Sequence, residues 1–172
     1  MPHSPVIRRA NASDMPGVAR LAGQLVRFHH ALDAQRFLLV EPVEPGYERW
    51  LSQELRNSKA VLLVAEDPDK RGTAEGLLGY AYSRLEGRDW NALLDACGVL
   101  HDIYVADEAR SRGVGAALVE ATARELTALG APRMVLSTAT QNSTAQKLFH
   151  KLGFRSTMIE MTRELAETPR SR

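Results

Sequence analysis

The chain lacks most of the devices that hold a protein together from outside its own core. It has a single cysteine, Cys97, among 172 residues. That excludes an internal disulfide and any cysteine-based metal cluster, and it makes Cys97 a small core residue before it is a nucleophile. No apolar run approaches the ~20 residues of a membrane-spanning helix. Met1 to Asn11 carries no apolar stretch of the secretory-leader kind, so the expected location is cytoplasmic. There is no excess of charge either: 22 Lys and Arg face 21 Asp and Glu, a net charge of +1. The chain as a whole is therefore not built to bind polyanions, and neither a nucleic acid nor a membrane surface is expected as a partner. Repeats and low-complexity segments are also absent. What remains is an ordinary globular composition, 44% hydrophobic and 25% charged, long enough to bury a core. One domain over residues 1–172 is expected, ordered from 5 to 165, with a polar tail at 166–172.

The informative stretch is Leu100 to Leu118. A β-branched, apolar run from Val99 to Val105 leads into a polar turn, Ala106 to Ala109. Arg110-x-x-Gly113-x-Gly115 follows and opens into an alanine- and leucine-rich helical pattern. Strand, glycine loop and helix in that order make an anion cradle. Glycine lets a ligand approach the backbone closely, and the free N–H groups of a first helical turn, with the helix dipole, favour negative charge. Arg110 and Arg112 are expected to add two positive charges beside it, and a phosphate-bearing ligand is the natural occupant. The spacing is not that of a P-loop, since no Lys-Ser or Lys-Thr follows these glycines. Nor is it a dinucleotide fingerprint, because Ala116 to Leu118 supply no third glycine.

The rest of the chain reads as alternating elements. Val6 to Arg9 is a strand. Ser13 caps a helix whose buried stripe runs through Met15, Val18, Leu21 or Ala22, Leu25 and Phe28 and which ends near His30. Pro42 and Pro45 break the chain before a second helix over Tyr47 to Asn57. Val61 to Glu66 and Leu77 to Leu85 form a hairpin, and Ala92 to Ala96 is a possible helical turn. After the glycine helix, which stops at Gly130, come a strand at Met134 to Ala139 and a short helix capped by Asn142 or Ser143 that ends at Gly153. A last strand is expected at Phe154 to Arg163. A crossover through the glycine helix makes its two flanking strands parallel, so the fold class is α/β (α+β).

The strand, the arginine spacing and the helix together resemble the acyl-CoA loop of the GCN5-related N-acetyltransferases (GNAT), whose signature is Arg/Gln-x-x-Gly-x-Gly/Ala. A second segment agrees. Asn142-x-x-Ala145-x-x-Leu148-Phe149-x-Lys151-x-Gly153-Phe154 is similar to the family's Asn-x-x-Ala-x-x-x-Tyr-x-x-x-Gly-Phe. The resemblance covers almost the whole chain. It implies a mixed, mostly antiparallel sheet flanked by helices, with the two strands around the glycine helix parallel and splayed. It also implies acetyl-CoA as cofactor, held by Ile103, Tyr104, Val105, Arg110, Ser111, Arg112, Gly113, Val114, Gly115, Ala116, Asn142, Ala145, Phe149 and Lys151.

The implied reaction is direct attack of a primary amine on the acetyl group in a ternary complex, the acceptor being a small molecule such as a polyamine, amino acid or aminoglycoside-like compound. A protein N-terminus or lysine is an alternative. His101 and Asp102 correspond to a Glu-Asp pair that polyamine acetyltransferases of the family carry at this strand end, so they are the candidate bases. Strict alternation would put them on opposite faces, leaving only one to serve. The backbone N–H of Val105 is the implied oxyanion donor. The family's general-acid Tyr is replaced by Phe149, which has no proton to give. Water or Tyr104 could take that part, and a non-catalytic acyl-CoA-binding module is the competing reading. His101 as a structural histidine, Asp102 as a hydrogen-bonded strand acid and Asn142 as a plain N-cap are equally open. Phe28, His29, Tyr47, Trp50 and Tyr82 are candidate acceptor-pocket residues, although core packing accounts for them as well. His29 and His30, adjacent on one helix, do not converge on a metal, and no metal is expected. A homodimer is possible.

Overall fold

The computed structural model describes residues 4–165; the expected tail at 166–172 lies outside them. Nine main elements run β1 (Val6–Arg9), α1 (Met15–Leu32), α2 (Glu44–Glu54), β2 (Ala60–Glu66), β3 (Leu77–Glu86), β4 (Cys97–Val105), α3 (Val114–Ala128), β5 (Met134–Leu136) and α4 (Ser143–Lys151). The strands form one sheet in chain order, antiparallel from β1 to β4 and parallel between β4 and β5.

Two apolar clusters cover its two faces. On one, Met15, Val18, Leu21, Ala22 and Leu25 of α1 and Leu51 of α2 pack on Leu62, Val64, Tyr80, Tyr82 and Tyr104. The three- and four-residue steps in α1 are what make that stripe continuous. On the other face, Val114, Leu118, Val119 and Leu126 of α3 and Phe149 of α4 pack on Leu63, Leu78, Ala81 and Leu100. Helices on both faces of the sheet make the mixed α/β architecture, and the crossover through α3 is what sets β5 parallel to β4.

Several sequence expectations are corrected. Asn11, not Ser13, is the first cap: its side chain accepts from the Ser13 N–H at 2.9 Å while Asp14 accepts from the Asn11 N–H at 2.8 Å. This reciprocal box closes a 3₁₀ turn ahead of α1. The second helix begins at Glu44, because Pro45 sits in its first turn, where no N–H is needed. Ala92 to Ala96 is not helical. Asp89 bridges Leu94, and the Asp89 carboxylate accepts from the Asn91 and Ala92 amides. The strand from Met134 stops at Leu136. Phe154 to Arg163 forms no strand.

Candidate active site

The end of β4 is the pivot. Its ladder with β5 covers three pairs, Gly98↔Met134, Val99↔Val135 and Leu100↔Leu136. Beyond Leu100 the two strands part. On its other side β4 stays paired with β3, and the Ala106 N–H donates to the Leu78 carbonyl at 2.8 Å. Antiparallel ladders alternate the direction of their amides, so the Ile103 and Val105 N–H groups point away from β3, into the gap that β5 vacates.

The register between β3 and β4 shifts at Tyr82/Ser83, which face Asp102 and Leu100 respectively. His101 is the extra residue of this bulge. A bulge breaks the two-residue period, so His101 and Asp102 share one face. Asp102 Oδ2 accepts from the Tyr80 hydroxyl at 3.0 Å. The His101 ring stacks on Tyr82 at 5.4 Å, and its Nε2 lies 3.2 Å from Glu86 Oε1. The opposite-face expectation is thus corrected. Burial pushes the Asp102 carboxyl above the usual range, against the hydrogen bond from Tyr80 and the nearby His101 and His29. The Tyr47 hydroxyl faces the same carboxylate, and burial pushes Tyr47 and Tyr80 upward in turn.

Below the gap lies the mouth of α3. Gly113 takes φ +80° at the helix N-cap, a left-handed conformation that glycine adopts without penalty. A Cβ on Gly115 would stand 3.2 Å from Leu148 Cδ2, so this turn packs tightly against α4. The amides of Ser111 to Ala116 find no acceptor among the described residues, the first bond of the turn being Ala117 N–H to the Gly113 carbonyl. A run of unspent donors at a helix N-terminus fits a diphosphate.

Arg110 does not stand free beside this mouth. It pairs with Asp107 at 2.7 Å, donates to the Val105 carbonyl at 3.3 Å and lies over the Tyr104 and Phe28 rings. Arg112 is exposed at the loop. The expected pair of fixed cations is therefore not what the fold builds; Arg110 fastens the loop to β4 and α1.

Gap and mouth open into one cavity of about 1480 Å³. A single small ligand usually occupies 300–1,000 Å³, so this volume has room for two substrates at once. His101, Asp102, Ile103, Tyr104, Val105, Arg110, Ser111, Gly113, Val114, Gly115, Asn142, Ala145 and Phe149 all line it. So do Phe28, His29 and Trp50. Arg112, Ala116, Lys151 and Tyr82 do not. Lys151 is exposed on the last turn of α4, and Tyr82 is buried behind Trp50 and His101, its hydroxyl donating to Glu54 at 2.8 Å. Asn142 Oδ1 caps α4 by accepting from the Ala145 N–H. Phe149 is buried, edge-on to Phe154. The Tyr104 hydroxyl donates to Asp107 at 3.3 Å. His29 and His30 turn to different carbonyls, those of Leu25 and Phe37.

Sequence reading missed Tyr47 and Tyr80 as partners of Asp102. It also missed Phe37, Leu38 and Val40, which form the outer wall of the cavity between α1 and α2. No periodic signal marks these last three, because they lie on a loop. Arg27 fixes that loop by pairing with both Glu41 and Glu44.

Comparison with known proteins bears on the family and the fold. The family model described as acetyltransferase (GNAT) family matches residues 26–154. The chain is 27% identical over 149 residues to an uncharacterized N-acetyltransferase, YhfO, of Bacillus subtilis, covering 86% of this chain and 88% of that one. It is 26% identical over 150 residues to an L-methionine sulfoximine/L-methionine sulfone acetyltransferase of Pseudomonas aeruginosa, covering 86% and 78%. Its fold matches that of an aminoglycoside N-acetyltransferase, AAC(6')-Iy, solved with CoA. There the TM-score is 0.73 at 22% identity, covering 96% of this chain and 99% of that one.

Proposed function

From the premise that the chain belongs to the acetyltransferase (GNAT) family, and so is an acyltransferase that uses acetyl-CoA, we propose that it acetylates the primary amine of a small molecule by direct attack in a ternary complex. One observation carries the reading: the unspent amides at the mouth of α3 and the Asp102 carboxylate open into the same cavity. One end suits a diphosphate and the other a cationic amine. The names of the relatives support a small acceptor, since one acts on an amino-acid analogue and another on aminoglycosides.

When bound, acetyl-CoA supplies an acetyl group activated as a thioester. The Ser111 to Ala116 amides would hold its diphosphate, with Asn142, Ala145 and Phe149 beside the remainder. The chain's own residues do the following. Asp102 attracts the acceptor as an ammonium and takes its proton. A lysine-like amine at neutral pH is roughly 4–5 kcal/mol from its neutral form, so a placed base matters. Tyr80 and Tyr47 fix that carboxylate in position. The Val105 N–H points into the gap where negative charge would develop on a carbonyl oxygen. Phe28, Trp50 and the 37–40 loop line the part of the cavity where the amine would sit. Phe149 provides packing and no proton, so the departing thiolate is protonated from solvent. A thiol near pKa ~8.5 makes that tolerable.

The test is to incubate the protein with acetyl-CoA and a panel of polyamines, amino acids and aminoglycosides while following free thiol. Amine-dependent thiol release is expected. Phe149 gives the binding-module reading its one specific support. That reading requires thermal stabilisation by CoA with no thiol release from any amine, protein lysines included.

A further inference from the structure

The cavity carries an uneven set of charges. Among the described residues, Asp102 is the one carboxylate that lines it, while the guanidiniums of Arg36, Arg49 and Arg110 line it too. The other acids nearby are engaged elsewhere. Glu41 and Glu44 pair with Arg27 at 2.8 and 2.7 Å. Glu54 accepts from the Tyr82 hydroxyl at 2.8 Å, and Asp107 holds Arg110 at 2.7 Å. Glu160 pairs with Arg36. Arg49 differs from the other two arginines. It is exposed on α2, next to Trp50, and makes no hydrogen bond or ion pair with a described residue. Its charge is free to act on whatever enters between α1 and α2.

The walls on that side are apolar. Phe28 of α1, Trp50 of α2 and Phe37, Leu38 and Val40 of the loop between them line the cavity. Leu38 is 75% exposed and Val40 68%, although both lie on this concave wall. Apolar side chains left in water inside a cleft gain by contact with an apolar ligand. A second ammonium in the same place would leave water with no carboxylate to receive it, which is costly, and it would meet the like charge of Arg49.

We propose, on the acceptor reading given above, that the acceptor is an apolar monoamine: a primary amine on an alkyl or aromatic body with no second cation. Asp102 receives the ammonium, Trp50 and the 37–40 loop cover the body, and Arg49 turns away a second positive charge. Selectivity among amines then lies in the uneven charge of the cavity and not in its volume. Polyamines and aminoglycosides, each with several ammonium groups, are poor acceptors.

Hexylamine, butylamine and 1,6-diaminohexane test this, with the full chain, acetyl-CoA and free thiol as the readout. The first and last differ only in a terminal ammonium, and the first two only in apolar length. kcat/KM for hexylamine is expected to exceed that for the diamine by more than about tenfold. It is expected to exceed that for butylamine, two methylenes shorter, by roughly tenfold. Arg49→Glu changes an exposed residue with no described partner and is expected to raise the diamine relative to hexylamine by about threefold or more at low ionic strength. A diamine or a butylamine used as well as hexylamine overturns the proposal and leaves the proposed function standing, and so does a diamine-to-hexylamine ratio unmoved by Arg49→Glu. No thiol release from any of the three, with release from another amine, overturns the proposal alone. No release from any amine, with CoA still raising the Tm, overturns the proposed function as well.

Discussion

Tyr80 donates its hydroxyl proton to Asp102 Oδ2 at 3.0 Å, tying the floor of the cavity to a fully buried ring in the middle of the sheet. This contact exists because a bulge at His101 turns Asp102 onto the tyrosine face. With strict alternation Asp102 would point at α3, on the same face as Leu100.

The first prediction concerns that carboxylate and pH. Burial raises Asp102 above its usual range, so kcat/KM is expected to fall as pH drops through a value above ~4, when the base is protonated and no longer attracts a cation. Stability runs the other way. Between the unfolded value and the raised folded value the native state holds more protons, so this group's contribution declines as pH rises through that window. Asp102→Asn keeps an acceptor for Tyr80 and removes the charge. It should lower kcat/KM about 10²- to 10⁴-fold, abolish the acid limb and leave the neutral-pH Tm unchanged or higher. An acid limb that persists in the variant removes Asp102 from the role of base.

How far the sequence carries can be judged from residues of this site. The turn at Gly113 and Gly115 is legible because a left-handed φ and a close approach each leave a glycine in the sequence. The stripe through Val18, Leu21 and Leu25 is legible because helical burial has a period. The bulge is not: it inserts one residue without changing the composition of β4, and the period-2 reading then misassigns a face. Arg110 is misread for a different reason. Its spacing from Gly113 is a local signal, but the Asp107, Tyr104 and Phe28 partners that occupy it are set by the fold. The run at Phe154 to Arg163 shows the limit of propensity. A strand needs a neighbour, and this run pairs with none among the described residues.

A second prediction addresses the anion cradle. Gly113→Glu places a Cβ at φ +80° and a carboxylate beside the amides of Ser111 to Ala116. CoA affinity is expected to fall by more than tenfold, about 1.4 kcal/mol or more, read by isothermal titration. Gly113→Ala carries the backbone strain alone, roughly 1 kcal/mol of stability, and should retain most of the affinity. Equal CoA binding by the wild type and Gly113→Glu would remove the mouth of α3 as the phosphate site.

A third prediction uses Phe149. Its ring lines the cavity and meets Phe154 edge-on at 5.7 Å. In the proposed reaction, Phe149→Tyr would add to the cavity wall a hydroxyl able to protonate the departing thiolate. Turnover is expected to rise with KM for the amine unchanged, measured by thiol release. An unchanged or lower rate means that protonation from solvent was never limiting.

The last prediction lies at the far edge of the sheet and sets stability in acid. Arg8 binds Asp14 in a bidentate pair at 2.7 and 2.8 Å and Glu66 at 3.1 and 3.2 Å. Both carboxylates are almost fully buried. For Asp14 burial alone would raise the pKa, but the Arg8 hydrogen bonds, with the Asn11 amide, bring it below the usual value. Glu66 is lowered by Arg8 first and by the Gly72 amide second. Depressed folded values mean that the stabilisation is complete above about pH 4, the unfolded range, and is lost as pH falls through the folded values. Arg8→Met leaves two neighbouring buried carboxylates without their shared cation. Urea denaturation at neutral pH should show a loss of about 3 kcal/mol, and the deficit should shrink toward acid, where both acids become neutral. A deficit independent of pH would mean that Arg8 acts through the packing of its aliphatic stem and not through its charge.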